Sequence, residues 1–192
     1  MTIVPASLAA FVQRLDLLVA EPDEAIVLPH VAKALARLVE TDDWLPSAYA
    51  VPHPDNYTQY LLYRDPAARF SVVSFVWGPG QGTPVHDHTV WGAVGVLRGV
   101  EQSQRFAICA DAPPRALDVP HELLPGSVET VSPRIGDIHQ VRNAMPNDIT
   151  VSIHVYGADI GAVERHIYPP KGGSKRFVSG YANGPETPVF NL

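Results

Sequence analysis

The sequence predicts a mainly β fold, a closed barrel or double-sheet jelly roll, preceded by two α-helices. Three observations carry this. The first 45 residues hold two apolar stripes at helical spacing. From Tyr57 onward the texture changes to short β-branched and aromatic runs. Nineteen prolines and fourteen glycines, scattered along 192 residues, fit many short strands joined by turns better than a helical bundle. At about 150 residues per domain, the expectation is one domain over 1–192: helices in 1–45, the barrel in 46–168 and a tail in 169–192.

In the first helix Leu8, Phe11, Val12, Leu15, Leu18 and Val19 fall at i, i+3, i+4, i+7 spacing, with Ser7 as the candidate N-cap. The second helix is expected over about 24–40, on a stripe of Ile26, Val27, Val31, Leu35, Leu38 and Val39. Pro29 interrupts that span; a start at Pro29 would put the proline in the first turn instead. Pro52 and Pro54 mark a loop, and 70–77 (FSVVSFVW) reads as a strand. A turn at 78–84 leads into 85–97, a strand around a bend, followed by a turn at Arg98-Gly99 and a strand over 101–109. A loop at 111–114 precedes short strands at 116–124 and 128–131, split by Pro125-Gly126. Residues 138–142 form a short strand, 143–147 a turn, and 148–156 the clearest strand of all. Residues 169–192 read as an ordered tail or lid.

Composition excludes several classes. Fourteen Lys+Arg against twenty Asp+Glu give a net charge of −6, which argues against a nucleic-acid binder. No basic cluster marks a membrane-surface anchor. The longest uncharged apolar run, 90–97, is far shorter than the roughly 20 residues a membrane span needs. Arg14 and Asp16 interrupt the apolar start, and no basic segment precedes it, so no signal peptide is read there. One cysteine, Cys109, allows no internal disulfide and fits a reducing compartment. The expectation is a soluble, cytoplasmic protein.

Of eight histidines, three stand out. His86-Asp87-His88 follows a glycine-proline turn. In a strand the two imidazoles would share a face, about 6–7 Å apart along the chain, and could reach one metal. Gly136-Asp137-Ile138-His139 opens a later strand and offers a third ligand. The spacing Gly80-x5-His86-x-His88-x3-Gly92-x6-Gly99, followed by Gly136-x2-His139-x3-Asn143, resembles the two motifs of the cupin superfamily. That resemblance implies a cupin (double-stranded β-helix/jelly-roll) barrel and makes His86, His88 and His139 the metal ligands. The sequence departs from the motif at Gly92, where a ligand glutamate is usual, at Pro133, one residue early, and in a longer Gly126–Gly136 interval. Glu101, on the next strand, is the alternative carboxylate ligand. Three neutral histidines leave a divalent metal its full charge and open positions; zinc competes with iron for such a site.

Strand 148–156 alternates strictly. Ile149, Val151, Ile153 and Val155 face one way; Thr150, Ser152, His154 and Tyr156 face the other. The polar face is either a wet surface or a hydrogen-bonded Ser-His-Tyr row. It is no serine-hydrolase triad, since no acid orients the histidine and no nucleophile elbow is present. Ser152-x-His154-x-Tyr156, with the histidine motifs and the leading helices, resembles the thiol dioxygenases of the cysteine dioxygenase family. The resemblance implies Fe(II) as cofactor, a small thiol carboxylate and O2 as substrates, and an outer-sphere role for Ser152, His154 and Tyr156.

Two family features are readable. No cysteine follows the H-x-H within 89–95, so no Cys–Tyr crosslink is expected. Where cysteine dioxygenases carry Tyr-Thr-Arg, this chain has Tyr57-Thr58-Gln59, and after Tyr156 comes Gly157-Ala158 in place of serine-proline. Both resemble the bacterial 3-mercaptopropionate dioxygenases, in which an arginine at the offset of Arg165 from Tyr156 takes the carboxylate. The resemblance therefore implies substrate binding by Arg165 and Gln59, with Arg64 as the rival arginine. The expected reaction is oxidation of 3-mercaptopropionate to 3-sulfinopropionate. An L-cysteine or broad thiol dioxygenase, and a non-catalytic metal- or ligand-binding cupin, stay open as alternatives. Trp77 and Trp91 read as core.

Overall fold

The computed structural model describes residues 3–110 and 112–192; Met1, Thr2 and Asp111, at the edges of the expected helical segment and of the 111–114 loop, lie outside the described residues. Helix α1 runs Ala6–Leu18 and α2 runs Glu24–Leu38. Ser7 is not the cap of α1. Pro5, at φ −59°, already holds the entry conformation, and Ser7 falls inside the first turn. Asp23 caps α2 by accepting the Ala25 N–H at 3.0 Å, so α2 starts at Glu24 and carries Pro29 inside it. The proline leaves the Ala25 carbonyl without an intrahelical N–H. The cap and the buried stripe of Val27, Leu28, Val31, Leu35 and Leu38 outweigh that loss. Ile26, expected on the stripe, is exposed; Leu28 takes its place.

Two antiparallel sheets make the barrel. The first is β1 (Thr58–Arg64), β2 (Ser71–Trp77), β10 (Thr150–Tyr156), β4 (Gly92–Arg98) and β8 (Val128–Val131), in that spatial order. The second is β12 (Lys175–Phe177), β11 (Arg165–Tyr168), β3 (Val85–His86), β9 (His139–Asn143), β5 (Glu101–Ala107) and β6 (Arg115–Ala116), with β7 (His121–Leu123) also on β5. This is the cupin jelly roll with N-terminal helices.

The expected strand over 85–97 is two pieces. The chain leaves β3 after His86, and Thr89 takes φ 60°, a left-handed conformation that a β-branched residue rarely adopts. His88 therefore lies beyond a strand end, not within a strand. The expected strand at 116–124 likewise shrinks to β6 and β7. The barrel does not stop at residue 168, because β12 in the tail pairs with β11.

The helices lie against the outer face of the first sheet. Leu8, Leu15, Val31 and Leu35 pack there with Val72, Ala93, Val151, Ile153 and Val155. A second apolar cluster lies between the sheets: Leu61, Val73, Phe75, Trp77, Val141, Tyr156 and Ile160. Strand β10 is thus buried on both faces along its length. Its polar side is the barrel interior, not a wet surface. No helix is long and apolar enough to cross a membrane among the described residues.

Candidate metal centre

His86, His88 and His139 converge inside the barrel. One nitrogen from each lies within 4.8 Å of the others, and all three side chains are buried. Register explains the meeting: β3 pairs with β9 so that His86 stands opposite His139. His88 reaches the same point from the turn. Its backbone N–H and that of Thr89 both donate to the Asp137 carboxylate, at 3.0 and 2.9 Å. The same carboxylate accepts the His88 Nδ1–H at 2.9 Å. This clamp sets the turn and leaves His88 Nε2 as the lone-pair nitrogen. His86 Nδ1–H donates to the Pro84 carbonyl at 3.1 Å, which frees its Nε2 in the same way. Among the described residues His139 Nδ1 has no hydrogen-bond partner; the Glu129 Oε2 carboxylate oxygen is 4.0 Å away.

The electrostatics favour neutral ligands. Burial pushes the His86 imidazole down to about 3, helped by His88 and Arg165. Burial, with His86 and His88, does the same to His139. Burial alone would raise Asp137, but the hydrogen bonds it accepts from the His88 side chain and from the His88 and Thr89 backbone outweigh it and hold the carboxyl below its usual range. Three buried imidazoles with ligand atoms this close fit a divalent metal ion. Glu101 is not part of this cluster. The place of the motif's glutamate is filled: a Cβ on Gly92 would stand 2.7 Å from Tyr156 Cδ1.

The row on β10 is hydrogen-bonded. Ser152 Oγ is 2.8 Å from His154 Nε2, and His154 Nδ1 is 2.9 Å from the Tyr156 hydroxyl. Trp77, read as core, is buried but also lines the pocket, and its indole N–H donates to Ser152 Oγ at 3.2 Å. The Tyr156 ring stacks near His88, with centroids 5.4 Å apart, which ties the row to the imidazole cluster. Burial raises the Tyr156 hydroxyl well above its ordinary pKa, partly opposed by Arg165. Burial, with His88 and His86, keeps His154 neutral.

A cavity of about 240 Å³ joins these groups, walled by Tyr57, Gln59, Phe75, Arg165, Ile167 and Phe177. Arg165 is buried at the start of β11. Its Nη2 donates to Ser179 Oγ at 2.6 Å, its guanidinium lies 4.6 Å from the Phe177 ring centroid, and its Nε has no partner among the described residues. The Gln59 amide donates to the Gly180 carbonyl at 2.9 Å, so Gln59 both lines the pocket and anchors the tail. Arg64 is on the outside, half-exposed and paired with Asp159 at 3.1 Å. Cys109 is exposed, whereas Tyr156 is buried.

Sequence reasoning passed over several residues here. Asp137 stood in view, inside the Gly-Asp-Ile-His segment. Asp87 lies between two ligands and ties them to β11, accepting from His166 N at 2.7 Å and from the Tyr168 hydroxyl at 2.7 Å. Nothing in the sequence marked Ser179 or Phe177.

Residues 1–169 match the family described as cysteine dioxygenase type I. Among solved structures, the chain resembles a protein with a double-stranded β-helix domain from Klebsiella pneumoniae, at 16% identity, over 71% of this chain and 96% of that one, with a TM-score of 0.47. It also resembles a cupin superfamily protein from Desulfitobacterium hafniense, at 15% identity, over 62% and 94%, with a TM-score of 0.44.

Proposed function

The chain belongs to the cysteine dioxygenase type I family, and from that premise we propose that it is an iron(II)-dependent dioxygenase of 3-mercaptopropionate. The reaction adds both atoms of O2 to the thiol sulfur, R–SH + O2 → R–SO2H, and yields 3-sulfinopropionate. Ferrous iron held by His86, His88 and His139 would supply, when bound, the redox chemistry that joins O2 to sulfur.

One observation carries the substrate: a buried guanidinium, Arg165, on the wall of the cavity that holds the three imidazoles, with its Nε unpaired among the described residues. A guanidinium grips a carboxylate through parallel N–H bonds, and burial strengthens that grip. Ser179 and Phe177 fix the guanidinium so that little freedom is lost on binding. The cavity has room for a short acid, whose thiol end would then face the imidazoles. No Asp or Glu lines the cavity among the described residues, so no carboxylate there balances the charge of an ammonium group. That favours an acid without an amine over L-cysteine.

The remaining residues position and shield. Tyr57, Phe75, Trp77 and Phe177 exclude water around the reacting sulfur. Tyr156 stays protonated at neutral pH and serves as a hydrogen-bonding hydroxyl held by His154. We place the enzyme in the cytoplasm, where a lone thiol such as Cys109 is ordinary.

The test is oxygen uptake by the iron(II)-loaded protein over a concentration series of 3-mercaptopropionate and of L-cysteine. A higher kcat/KM for 3-mercaptopropionate is expected. Arg165→Ala should raise KM for the acid by roughly 10- to 100-fold, the scale of a lost charge-assisted pair, with iron content unchanged. A preference for cysteine overturns the substrate. No uptake with either overturns the dioxygenase.

A further inference from the structure

The row on β10 ends on a buried carboxyl. Glu101, on β5, is 0% exposed, and neither of its oxygens has a hydrogen-bond partner among the described residues. Such a group is costly to keep unless it has a use. From the opposite sheet the Ser152 hydroxyl and the Trp77 indole face it, and Glu129 acts on it from β8. Beside it on β9 is Asn143, whose amide is committed to the carbonyls of Trp77, Gly78 and Asp148. None of these neighbours is a cation.

We propose that Glu101 is a positioning residue for Tyr156: the charge on its carboxyl sets the direction of the Ser152–His154–Tyr156 hydrogen bonds, and so whether the tyrosine turns its proton into the pocket or back onto His154. The inference rests on Tyr156 serving the pocket, as read above.

The argument is a count of donors. A neutral imidazole has one N–H and one lone pair. His154 touches Ser152 through Nε2 and Tyr156 through Nδ1, so the row has only two arrangements. In one, the Tyr156 O–H donates to Nδ1, Nε2–H donates to Ser152 Oγ, and the Ser152 proton needs an acceptor further on. An ionised Glu101, brought onto Ser152 by side-chain rotation, is that acceptor. In the other, Ser152 donates to Nε2, Nδ1–H donates to the Tyr156 oxygen, and the Tyr156 proton is free to enter the pocket. Ser152 Oγ then accepts from Trp77, and its second lone pair suits the O–H of a protonated Glu101. Each charge state of the carboxyl completes one arrangement and leaves the other with an unmatched group. Burial pushes the Glu101 carboxyl up to about 7, opposed by Ser152 and Trp77, so both states are accessible near neutral pH.

The test reads the imidazole directly. ¹⁵N spectra of the zinc(II)-loaded protein, diamagnetic and without thiol, are followed from pH 5 to pH 9. Wild-type His154 should carry its N–H on Nδ1 at the acid end and on Nε2 at the alkaline end. In Glu101→Gln the side-chain amide donates to Ser152 permanently, and the N–H should stay on Nδ1 throughout. Ser152→Ala cuts the link while leaving Glu101 in place, and should also abolish the exchange. A wild-type His154 that keeps one tautomer across the range overturns the proposal. So does an exchange that persists in either variant. The iron-loaded Glu101→Gln enzyme should lose the pH dependence of kcat near neutrality, with KM and iron content unchanged. A protein that shows the exchange yet consumes no oxygen would sink the dioxygenase reading and leave the control by Glu101 standing.

Discussion

At Gly92 a single missing side chain decides the character of the site. The Tyr156 ring occupies the space that any side chain there would need, 2.7 Å from the missing Cβ. A glutamate ligand and this tyrosine are alternatives for one volume. Gly92→Ala is therefore expected to displace the ring and stretch the His154–Tyr156 bond. The overpacking cost should be about 1–3 kcal/mol, read by urea unfolding, with kcat reduced and iron content kept. The sequence showed the glycine in place of glutamate but could not show what filled the gap, because that contact joins positions far apart in the chain. The same limit applies to arginines. Arg64 and Arg165 look alike in sequence; burial separates them, and burial belongs to the folded chain. Glu101 was legible only as a carboxylate on a strand near the ligands. Its isolation from partners depends on four elements, β2, β8, β9 and β10, packing around it.

Strand β10 shows what periodicity can and cannot tell. Its alternation was legible because a strand repeats every two residues. Which face met water was not, since the helices that cover the apolar face and the second sheet that covers the polar one are tertiary neighbours. Both faces are buried, each in its own core. The two faces should separate under mutation. Ile153→Ala, on the helix side, opens a cavity and should cost about 2–5 kcal/mol. Because β2 and β4 hold the backbone from both sides, oxygen uptake per folded molecule should stay within about twofold of wild type, which urea titration and uptake on the same sample would check. A matching loss of turnover would mean that the row depends on packing behind it. The break after His86 was hidden for a different reason: the left-handed Thr89 is held by Asp137 against its own preference.

For the molecule as a whole, buried ionisable groups set how stability follows pH. In metal-free protein His86, His139 and His154 are held neutral below their ordinary value of 6.5, so unfolding takes up three protons below that pH. Glu101 works the other way: it stays protonated up to about 7 when folded, against 4.5 ordinarily, so unfolding releases one proton between those values. Between pH 6.5 and 4.5 the net uptake is two protons, and stability should fall by about 3 kcal/mol per pH unit as the solution is acidified. Between 6.5 and 7 only Glu101 counts, and stability should fall slightly as pH rises. Urea unfolding of the metal-free protein should therefore peak near pH 6.5. Glu101→Gln should steepen the acid limb to about 4 kcal/mol per unit and remove the alkaline decline; an unchanged profile would mean that Glu101 ionises normally in the folded state. The tail carries a different consequence. Ser179 and Gly180, which hold Arg165 and Gln59, follow every imidazole of the cluster in chain order. A ribosome releases His86, His88 and His139 before it has made the segment that holds Arg165 and Gln59. On the function proposed above, a growing chain thus has an interval in which the three imidazoles exist and the residues that hold Arg165 do not, so that metal loading and capture of an acid would be separated by birth order as well as by place.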